Sequence, residues 1–323
     1  MAKMIRVHTV GGPEALVYED VELAPPGPNE VRIKQKAVGL NFIDVYHRTG
    51  LYPQPMPFTP GSEGAGDVVA VGSGVTEFKL GDRVAYGTAI GSYAEERNIA
   101  AANLVHLPAA ISYETAAAMM LKGLTTQYLL RQTYVVKPGD TILFHAAAGG
   151  VGLIAGQWAK HLGATVIGTV GGPEKIQLAK EHGYDYVIDY KNEDFAARVK
   201  EITGGKLCPV VYDGVGKATF PASLDCLRPR GLFLSFGNAS GPVDAFNLGM
   251  LAQKGSLYAT RPTLFGYAGQ REALVAMAKD LFDVVASGAV KIPVHHRYAL
   301  KDVAEAHKAL ESRKTTGATV LIP

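Results

Sequence analysis

Ala146-Ala-Ala-Gly149-Gly150-Val151-Gly152 is the stretch that decides how this chain folds. It follows an apolar run predicted to be a strand, residues 141–145, and precedes a predicted helix, residues 151–162. A helix N-terminus favours negative charge through its unpaired N–H groups and its dipole, and glycine lets the backbone approach a diphosphate. The first glycine position of the usual GxGxxG pattern holds Ala147, and a tight packing turn is the alternative interpretation. The context predicts a dinucleotide site.

The residues around this turn alternate between apolar strands and amphipathic helices. Strands are predicted at residues 141–145, 165–168, 186–188, 209–212 and 232–235, and helices at residues 151–162, 174–181, 193–202 and 218–227. Strands at this spacing need crossover connections, which make the sheet parallel. The pattern therefore predicts a doubly wound α/β domain.

The first hundred residues have a different character. Short β-branched runs are separated by Gly and Pro clusters at residues 11–13, 25–28 and 53–61, which is typical of a small β domain. Ser112 is a candidate helix N-cap with Glu114 in the first turn, and residues 116–131 continue as a predicted helix. This helix is a candidate hinge between two domains.

The C-terminal third adds a few elements to both domains. A strand is predicted at residues 256–260, helices at 271–286 and 302–310, and a last strand at 318–322 that we expect to rejoin the first domain. A chain of 323 residues exceeds what one hydrophobic core usually holds. The predicted division is residues 1–122 with 266–323 as one domain and 123–265 as the other.

Composition excludes several classes of protein. Lys and Arg number 32 against 30 Asp and Glu, without the basic stripe that polyanion binding requires, so nucleic acid is not an expected partner. The longest apolar-leaning stretch, residues 142–159, is rich in Ala and Gly and lacks the apolar density of a membrane span. Cys208 and Cys226 form no CxxC motif, so we expect neither a disulfide framework nor a structural zinc site. A reducing cytoplasm fits best.

The loop after the second predicted strand of the α/β domain indicates which nicotinamide cofactor the chain prefers. NAD-specific domains place an acidic residue there for the ribose hydroxyls. This chain has Gly171 and Gly172 instead, with Lys175 following, and these residues would accept a 2′-phosphate. Tyr190, after the third strand, is a candidate to flank the same phosphate. The alternative interpretation is that Lys175 and Tyr190 are ordinary surface residues. The loop as a whole favours NADPH over NADH.

Several motifs together resemble the medium-chain dehydrogenase/reductase superfamily. They are the segments at residues 60–72, 79–84, 122–125, 139–140 and 147–152. Residues 144–155, 235–238 and 260–263 are similar to the zinc-free NADPH:quinone oxidoreductase branch of that superfamily, with its zeta-crystallin relatives. The resemblance runs over essentially the whole chain. It implies an α/β fold in which a Rossmann domain binds NADPH and a mostly β, GroES-like domain carries the catalytic residues.

The chain departs from the zinc-dependent alcohol dehydrogenases at their metal site. Where those relatives have a cysteine and a Gly-His-Glu motif, this chain has Asn41 and Gly61-Ser62-Glu63, and the four-cysteine structural loop is missing. Without thiolate or imidazole ligands converging there, a zinc mechanism is not expected. The pair His295-His296 lacks partners at ligand spacing. We therefore expect no bound metal.

The resemblance also assigns site residues. Asn41, Lys122 and Thr125 are expected to contact the cofactor near its reactive end. Asp44 is expected to order the surrounding loop, and Tyr46 and Tyr52 could offer hydroxyls to an acceptor carbonyl, packing being their alternative role. The other cofactor positions implied by the family are Gly149, Gly150, Val151, Gly152, Gly171, Lys175, Tyr190, Phe236, Asn238, Pro262, Thr263 and Leu264.

The implied reaction is hydride transfer from NADPH to a quinone, in which the cofactor carries the chemistry and the protein supplies geometry. Product protonation is left open between Tyr46, Tyr52 and water. A reductase of C=C bonds in enones or alkenals is the rival enzyme, and a crystallin-like nucleotide- or RNA-binding protein is the rival of another class. The apolar strand at residues 256–260 is expected to pair across a homodimer interface.

Overall fold

The computed structural model describes residues 1–312 and 315–323, and it divides into two compact units. The first unit comprises Met1–Leu124, Ala268–Ala286 and Ile292–Pro323. The second comprises Thr125–Tyr267 and Ser287–Lys291. Both ends of the chain therefore belong to the first unit, and the second is formed almost entirely by the middle of the chain.

The elements of the described chain are fifteen strands and nine α-helices. The strands are β1 Ala2–Arg6, β2 Val17–Val21, β3 Glu30–Leu40, β4 Glu63–Val71, β5 Arg83–Tyr86, β6 Glu96–Ala100, β7 Val105–His106, β8 Thr141–Phe144, β9 Thr165–Val170, β10 Tyr186–Asp189, β11 Cys208–Asp213, β12 Leu227–Ser235, β13 Tyr258–Thr260, β14 Val294–Ala299 and β15 Ala318–Ile322. The helices are α1 Phe42–Arg48, α2 Tyr113–Tyr128, α3 Gly150–His161, α4 Ile176–Glu181, α5 Phe195–Ile202, α6 Gly249–Gln253, α7 Leu264–Ala268, α8 Arg271–Ala286 and α9 Val303–Glu311.

The second unit contains a parallel sheet of six strands in the order β10-β9-β8-β11-β12-β13. Numbered within the unit, this is the order 3-2-1-4-5-6 of the doubly wound dinucleotide-binding fold. The strand order reverses between β8 and β11, and ligands of such sheets bind beyond the carboxyl ends of the strands at that point. The predicted α/β class is confirmed.

The first unit is built on a seven-stranded sheet whose longest strand is β3. Strands β4, β6 and β15 all pair antiparallel with β3. Val31 and Ile33 on β3 are fully buried, because alternate side chains of this part of the strand face the core. The pairing of Thr319 with Leu40 confirms that the last strand rejoins the first domain and places it beside the end of β3.

The predicted helix at residues 116–131 starts earlier and ends differently. Ser112 accepts a hydrogen bond from the backbone N–H of Thr115 at 3.1 Å, so α2 begins at Tyr113. Its regular part ends at Tyr128, and Leu129–Thr133 form one wider π-helical turn. The two compact units divide within this helix, between Leu124 and Thr125.

The predicted helix at residues 218–227 is wrong. Ala222–Cys226 form a short 3-10 turn, and β12 begins at Leu227 and is longer than expected. Pro221 disfavours a helical conformation for the residue before it. The hydroxyls of Thr219 and Ser223 bind the carboxylate of Asp213 rather than facing solvent. This stretch is shaped by buried polar contacts that a helical pattern does not reveal.

The remaining predicted elements agree with the structure within a few residues. Helix α8 and strand β15 have the predicted bounds, and α5 begins after Asp194, whose carboxylate caps the N–H groups of Ala196 and Ala197. None of the helices in residues 1–312 and 315–323 is long and apolar enough to cross a membrane.

Gly156 tests the packing of α3 against the sheet. A Cβ at this position would lie 2.5 Å from the carbonyl oxygen of His182 and would overlap the ring of Tyr184. We expect Gly156→Ala to lower the free energy of unfolding by about 1–3 kcal/mol, measured by urea denaturation, because overpacking displaces neighbouring groups. The matched change Gly266→Ala in α7, where the nearest atom lies 3.7 Å away, should leave stability equal or higher. Equal stability of both variants would contradict this packing.

Candidate active site

Helix α1 starts where β3 ends, at Asn41, and its first turn is fixed by Asp44. The carboxylate of Asp44 accepts the backbone N–H of Asn41 at 2.9 Å, and the N–H of Asp44 donates to the carbonyl of Asn41 at 3.1 Å. An acidic side chain in the first turn also matches the positive end of the helix dipole. The two predicted residues therefore lie together and define the start of α1.

Glu63, at the start of β4, joins Asn41 to Lys122. Its Oε1 accepts the Asn41 side-chain amide at 2.8 Å and the Lys122 ammonium, and its Oε2 accepts the backbone N–H of Leu121 at 2.7 Å. Glu63 is fully buried, and a buried carboxylate is stable only when it is paired and hydrogen-bonded. The Gly39 backbone passes so close that a Cβ there would overlap the Glu63 carboxylate.

Sequence reasoning missed Glu63 as a functional residue. The sequence shows Glu63 only where the zinc-dependent relatives have a metal motif, although it is the one acidic residue in the run Gly61-Ser62-Glu63-Gly64. The structure brings two of the three residues expected near the reactive end of the cofactor, Asn41 and Lys122, onto this one carboxylate. The third, Thr125, lies one turn further along α2 and in the second unit.

The donor set at this point does not fit a zinc ion. Asn41 and Ser62 offer an amide and a hydroxyl, and the Glu63 carboxylate already accepts an ammonium and two amide N–H groups. Zinc sites in proteins use thiolate, imidazole and free carboxylate ligands. In the described ranges, no group of three or more His, Cys, Asp and Glu side chains could hold a metal ion.

Asp44 is a buried carboxyl group with an unusual acidity. Tyr93 donates its hydroxyl to Oδ2 at 2.8 Å, and the Ser62 hydroxyl lies 3.4 Å from Oδ1. Burial raises the pKa of Asp44 to about 7, and the negative charge of Glu63 adds to this. The hydrogen bonds from Tyr93 and Asn41 and the charge of Lys122 act in the opposite direction. The hydrogen bonds of Asp44 fix the start of α1, and its pKa lies near neutral pH.

Tyr46 and Tyr52 form an aromatic pair in the first unit. Their ring centroids lie 5.2 Å apart in an edge-to-face arrangement, and the backbone N–H of Tyr52 donates to the carbonyl of Tyr46 at 3.0 Å. Both are half-buried. His47 completes the group, with its ring 6.2 Å from that of Tyr52. The arrangement is compatible with both roles considered for the tyrosines, packing and hydrogen bonding to an acceptor.

The glycine-rich turn of the second unit forms a tight cradle at the N-terminus of α3. Gly149 is the N-cap, and Ala146 has a positive φ of 58°. The backbone N–H of Ala147 donates to the carbonyl of Thr169 at 2.9 Å, which fixes the turn to the neighbouring strand. At Gly152 a Cβ would overlap the carbonyl oxygen of Ala146. Only glycine therefore lets α3 start this close to the strand.

A buried polar network lies beneath the turn. The Asp213 carboxylate, at the end of β11, accepts two backbone N–H groups and the hydroxyls of Thr219 and Ser223. Ser223 lies 3.0 Å from Nε2 of His145, whose Nδ1 lies 2.8 Å from the hydroxyl of Thr169. These contacts join the carboxyl ends of β8, β9 and β11, where the strand order reverses. Burial lowers the pKa of His145, which keeps the ring neutral.

Gly171 and Tyr190 come together at the ends of β9 and β10. A Cβ at Gly171 would lie 3.2 Å from the Tyr190 hydroxyl and 3.6 Å from Cε of Lys191. Lys175 ends the short 3-10 turn that follows Gly172. Lys191 was not among the residues expected from the sequence, although it directly follows Tyr190. Lys175 and Lys191 follow β9 and β10, and the loop after β9 carries no acidic residue until Glu174.

The other predicted cofactor residues also follow strand ends. Phe236 and Asn238 come directly after β12, and Pro262, Thr263 and Leu264 lie between β13 and the first residue of α7. The Phe236 ring lies 5.5 Å from that of Phe144, and its N–H donates to the carbonyl of Asp213 at 2.8 Å. Except for Thr125, every predicted cofactor residue of the second unit is therefore at the carboxyl edge of one sheet.

Comparisons with known proteins agree with this architecture. The family described as "Alcohol dehydrogenase GroES-like domain" matches residues 27–109, and the one described as "Zinc-binding dehydrogenase" matches residues 150–281. A quinone oxidoreductase of Pseudomonas aeruginosa is 60% identical over 100% of both chains. The chain belongs to the quinone oxidoreductase family. This identity, in a branch of the medium-chain dehydrogenases and reductases, confirms the resemblance seen in the sequence.

Two further relatives bear on the function of this family. The crystal structure of Escherichia coli quinone oxidoreductase complexed with NADPH has a TM-score of 0.98 and 54% identity, and the match covers 100% of each chain. A 2-haloacrylate reductase from Burkholderia is 45% identical, with 98% of each chain covered. The family fold therefore includes proteins named for different acceptors.

The raised pKa of Asp44 predicts a pH-dependent contribution to stability. Its folded-state pKa of about 7 exceeds the unfolded value of 3.8, so the folded protein holds this proton more tightly. That stabilisation is complete below about pH 3.8 and is lost as the pH rises through about 7. The free energy of unfolding of the wild type should fall relative to Asp44→Asn across this window, by roughly 1 kcal/mol per pH unit. Denaturant titrations at several pH values measure it, and parallel curves would contradict it.

Proposed function

We propose that this chain is an NADPH-dependent quinone reductase that works without zinc. The observation that carries the proposal is the pair of sites described above. One is a glycine cradle at the switch point of a doubly wound sheet, with lysines and no acid at the ribose end. The other is a buried Asn41-Glu63-Lys122 cluster that replaces a metal site. Membership of the quinone oxidoreductase family and the NADPH complex of the E. coli relative support it.

The residues present fit NADPH as the cofactor. The N-terminus of α3, with Gly149, Gly150, Val151 and Gly152, would hold the diphosphate, and Gly171, Lys175 and Tyr190 would hold the 2′-phosphate. Lys191 is added to the second group because of its position beside Gly171 and Tyr190. The remaining proposed contacts are Asn41, Lys122, Thr125, Phe236, Asn238, Pro262, Thr263 and Leu264. NADPH supplies a hydride equivalent when bound.

The protein's own contribution is orientation rather than strong acid–base chemistry. A quinone is already electrophilic, so positioning and exclusion of water provide most of the rate enhancement. Glu63 holds the Asn41 amide and the Lys122 ammonium in fixed directions. Tyr46 and Tyr52 are proposed to donate hydrogen bonds to the acceptor oxygens, and Asp44 to position the helix that carries Tyr46.

We propose different roles for the two domains predicted from the sequence. Residues 1–122 with 266–323 are the proposed catalytic, GroES-like domain and residues 123–265 the proposed NADPH-binding domain, apart from Ser287–Lys291, which belong to the second compact unit. We also propose a homodimer in the cytoplasm. Strand β13 is the edge of its sheet and exposes 61% of Tyr258, which leaves a strand edge available for pairing. The thiols of Cys208 and Cys226 are free and buried, as suits a reducing compartment.

Reduction of an activated C=C bond is the second candidate activity. The 2-haloacrylate reductase relative, 45% identical over nearly the full length, is the observation that favours it. The same cofactor geometry serves both reactions, since each needs only an electron-poor carbon or ring held against the nicotinamide. NADPH oxidation with 2-chloroacrylate beside a quinone separates the two, and a preference for the acrylate would replace the quinone assignment.

The first test is oxidation of NADPH and NADH by EDTA-treated protein with 1,2-naphthoquinone. We expect full activity after chelation and a clear preference for NADPH. Lys175→Ala should raise KM for NADPH by roughly 10- to 100-fold, since a hydrogen bond to a charged group contributes about 1.5–3 kcal/mol. KM for NADH should not change. Lys191→Ala should act in the same direction.

Lys180→Ala is the matched control for the lysine variants, because Lys180 is an exposed lysine on the helix that follows Lys175. It should leave both KM values at the wild-type level. Loss of activity with EDTA would contradict a zinc-free mechanism. Equal use of NADH and NADPH by the wild type would contradict the phosphate assignment.

A further inference from the structure

Arg48, the last residue of α1, is buried almost completely in the first unit. Its side chain is 1% exposed, and it binds the carboxylate of Glu311 on α9 through two hydrogen bonds of 3.1 and 2.7 Å. Its Nε donates to the carbonyl of Gly11 at 3.1 Å. A third contact joins Nη1 to Nδ1 of His307, also on α9, at 3.1 Å. The guanidinium of Arg48 is therefore occupied by protein groups and is not placed to bind a quinone, although Arg48 lies only two residues after Tyr46.

His307 continues the contacts back to the start of α1. It is fully buried, and its Nε2 lies 3.1 Å from the hydroxyl of Tyr93. Tyr93 donates to Asp44 at 2.8 Å, and the rings of Tyr93 and His307 pack edge to face with centroids 5.8 Å apart. The chain Arg48-His307-Tyr93-Asp44 thus connects the last turn of α1 to its first turn.

Arg48 determines the direction of every hydrogen bond in the series Arg48-His307-Tyr93-Asp44. A guanidinium has five donors and no acceptor, so Nδ1 of His307 must accept. The neutral ring then carries its proton on Nε2 and donates it to the Tyr93 oxygen. The Tyr93 proton is left for Asp44. Burial and the Arg48 cation lower the pKa of His307 to about 3, which agrees with a neutral ring.

We propose that His307, oriented by Arg48, is a positioning residue of the acceptor site. It makes Tyr93 a donor to Asp44 and so holds α1, the helix that begins after Asn41 and carries Tyr46, in a single orientation. The hydrogen-bonded series is not a proton relay, because Arg48 at its end does not release a proton. The functional part of the proposal rests on the proposed quinone reductase activity.

Few charged and titratable groups face the hydrogen-bonded series Arg48-His307-Tyr93-Asp44. Asp44 faces Glu63 and Lys122 from β4 and α2, and Arg48 faces Glu311 from α9. His307 faces Arg48 and Tyr93. Because Glu311 pairs with Arg48 and Lys122 pairs with Glu63, neither cation competes for the other's partner.

The hydrogen-bond direction has a direct test that needs no activity. In protein labelled with ¹⁵N-histidine, the His307 signals, assigned by their loss in His307→Gln, should show one protonated nitrogen, Nε2, throughout pH 5–8. A proton on Nδ1, or a doubly protonated ring in this range, would overturn the proposed direction.

The functional role is tested by comparing His307→Gln with His307→Leu. Gln can accept from Arg48 with its carbonyl oxygen and donate to Tyr93 with its amide, whereas Leu fills the space without either hydrogen bond. We expect Leu to raise KM for 1,2-naphthoquinone and lower kcat, with a loss in kcat/KM of about tenfold or more, because small misplacements of reacting groups are costly. Gln should recover most of this loss.

NADPH binding in the absence of quinone, followed by fluorescence, should be unchanged in both variants, because the side chain of Asn41 is held separately by Glu63. Tyr93→Phe should cause a similar loss, and the double variant Tyr93→Phe, His307→Leu should be no worse than either single one. Additive losses, or equal weakening of NADPH and quinone binding, would show a merely structural role and overturn the proposal. A wild type inactive with quinones would contradict the proposed function instead, and the histidine spectrum would still test the chain.

Discussion

The pairing of the buried Glu63 carboxylate is the interaction on which the candidate active site depends. A fully buried charge is tolerated only when an opposite charge and hydrogen-bond donors surround it. Lys122 and the Leu121 N–H provide these from α2, and the Asn41 amide provides a further donor from the residue between β3 and α1. Removing Lys122 alone would leave an uncompensated charge, so the cluster constrains β3, β4 and α2 together.

The second unit also contains a buried carboxylate, which is stabilised by hydrogen bonds. Asp213 is buried and accepts four donors, and through Ser223 it reaches His145, the residue directly before the glycine-rich turn. The turn above this network is therefore supported by buried contacts rather than by its own backbone alone. In each unit a buried carboxylate, Glu63 at the start of β4 and Asp213 at the end of β11, contacts residues beside those that we propose bind the cofactor.

This arrangement suits a reaction in which the cofactor and the acceptor are already reactive. A metal ion would polarise a less reactive carbonyl, whereas a quinone needs chiefly to be held in place. The buried polar groups of the described residues accordingly orient the proposed cofactor and acceptor contacts. Asn41 and Lys122 are held by Glu63, and α1 is held by contacts at both of its ends, at Asp44 and Arg48.

The sequence by itself determined the alternation of strands and helices, the glycine-rich turn, the return of the last strand and the absence of an acid after β9. These are local patterns, because periodicity and turn chemistry act over a few residues. Tertiary structure decided which residues Glu63, Tyr93 and His307 contact. Glu63 lies 59 residues from Lys122, and His307 lies 214 residues from Tyr93 and 259 from Arg48. No local pattern shows which distant groups will share one buried space, and burial is what turns these ordinary side chains into partners.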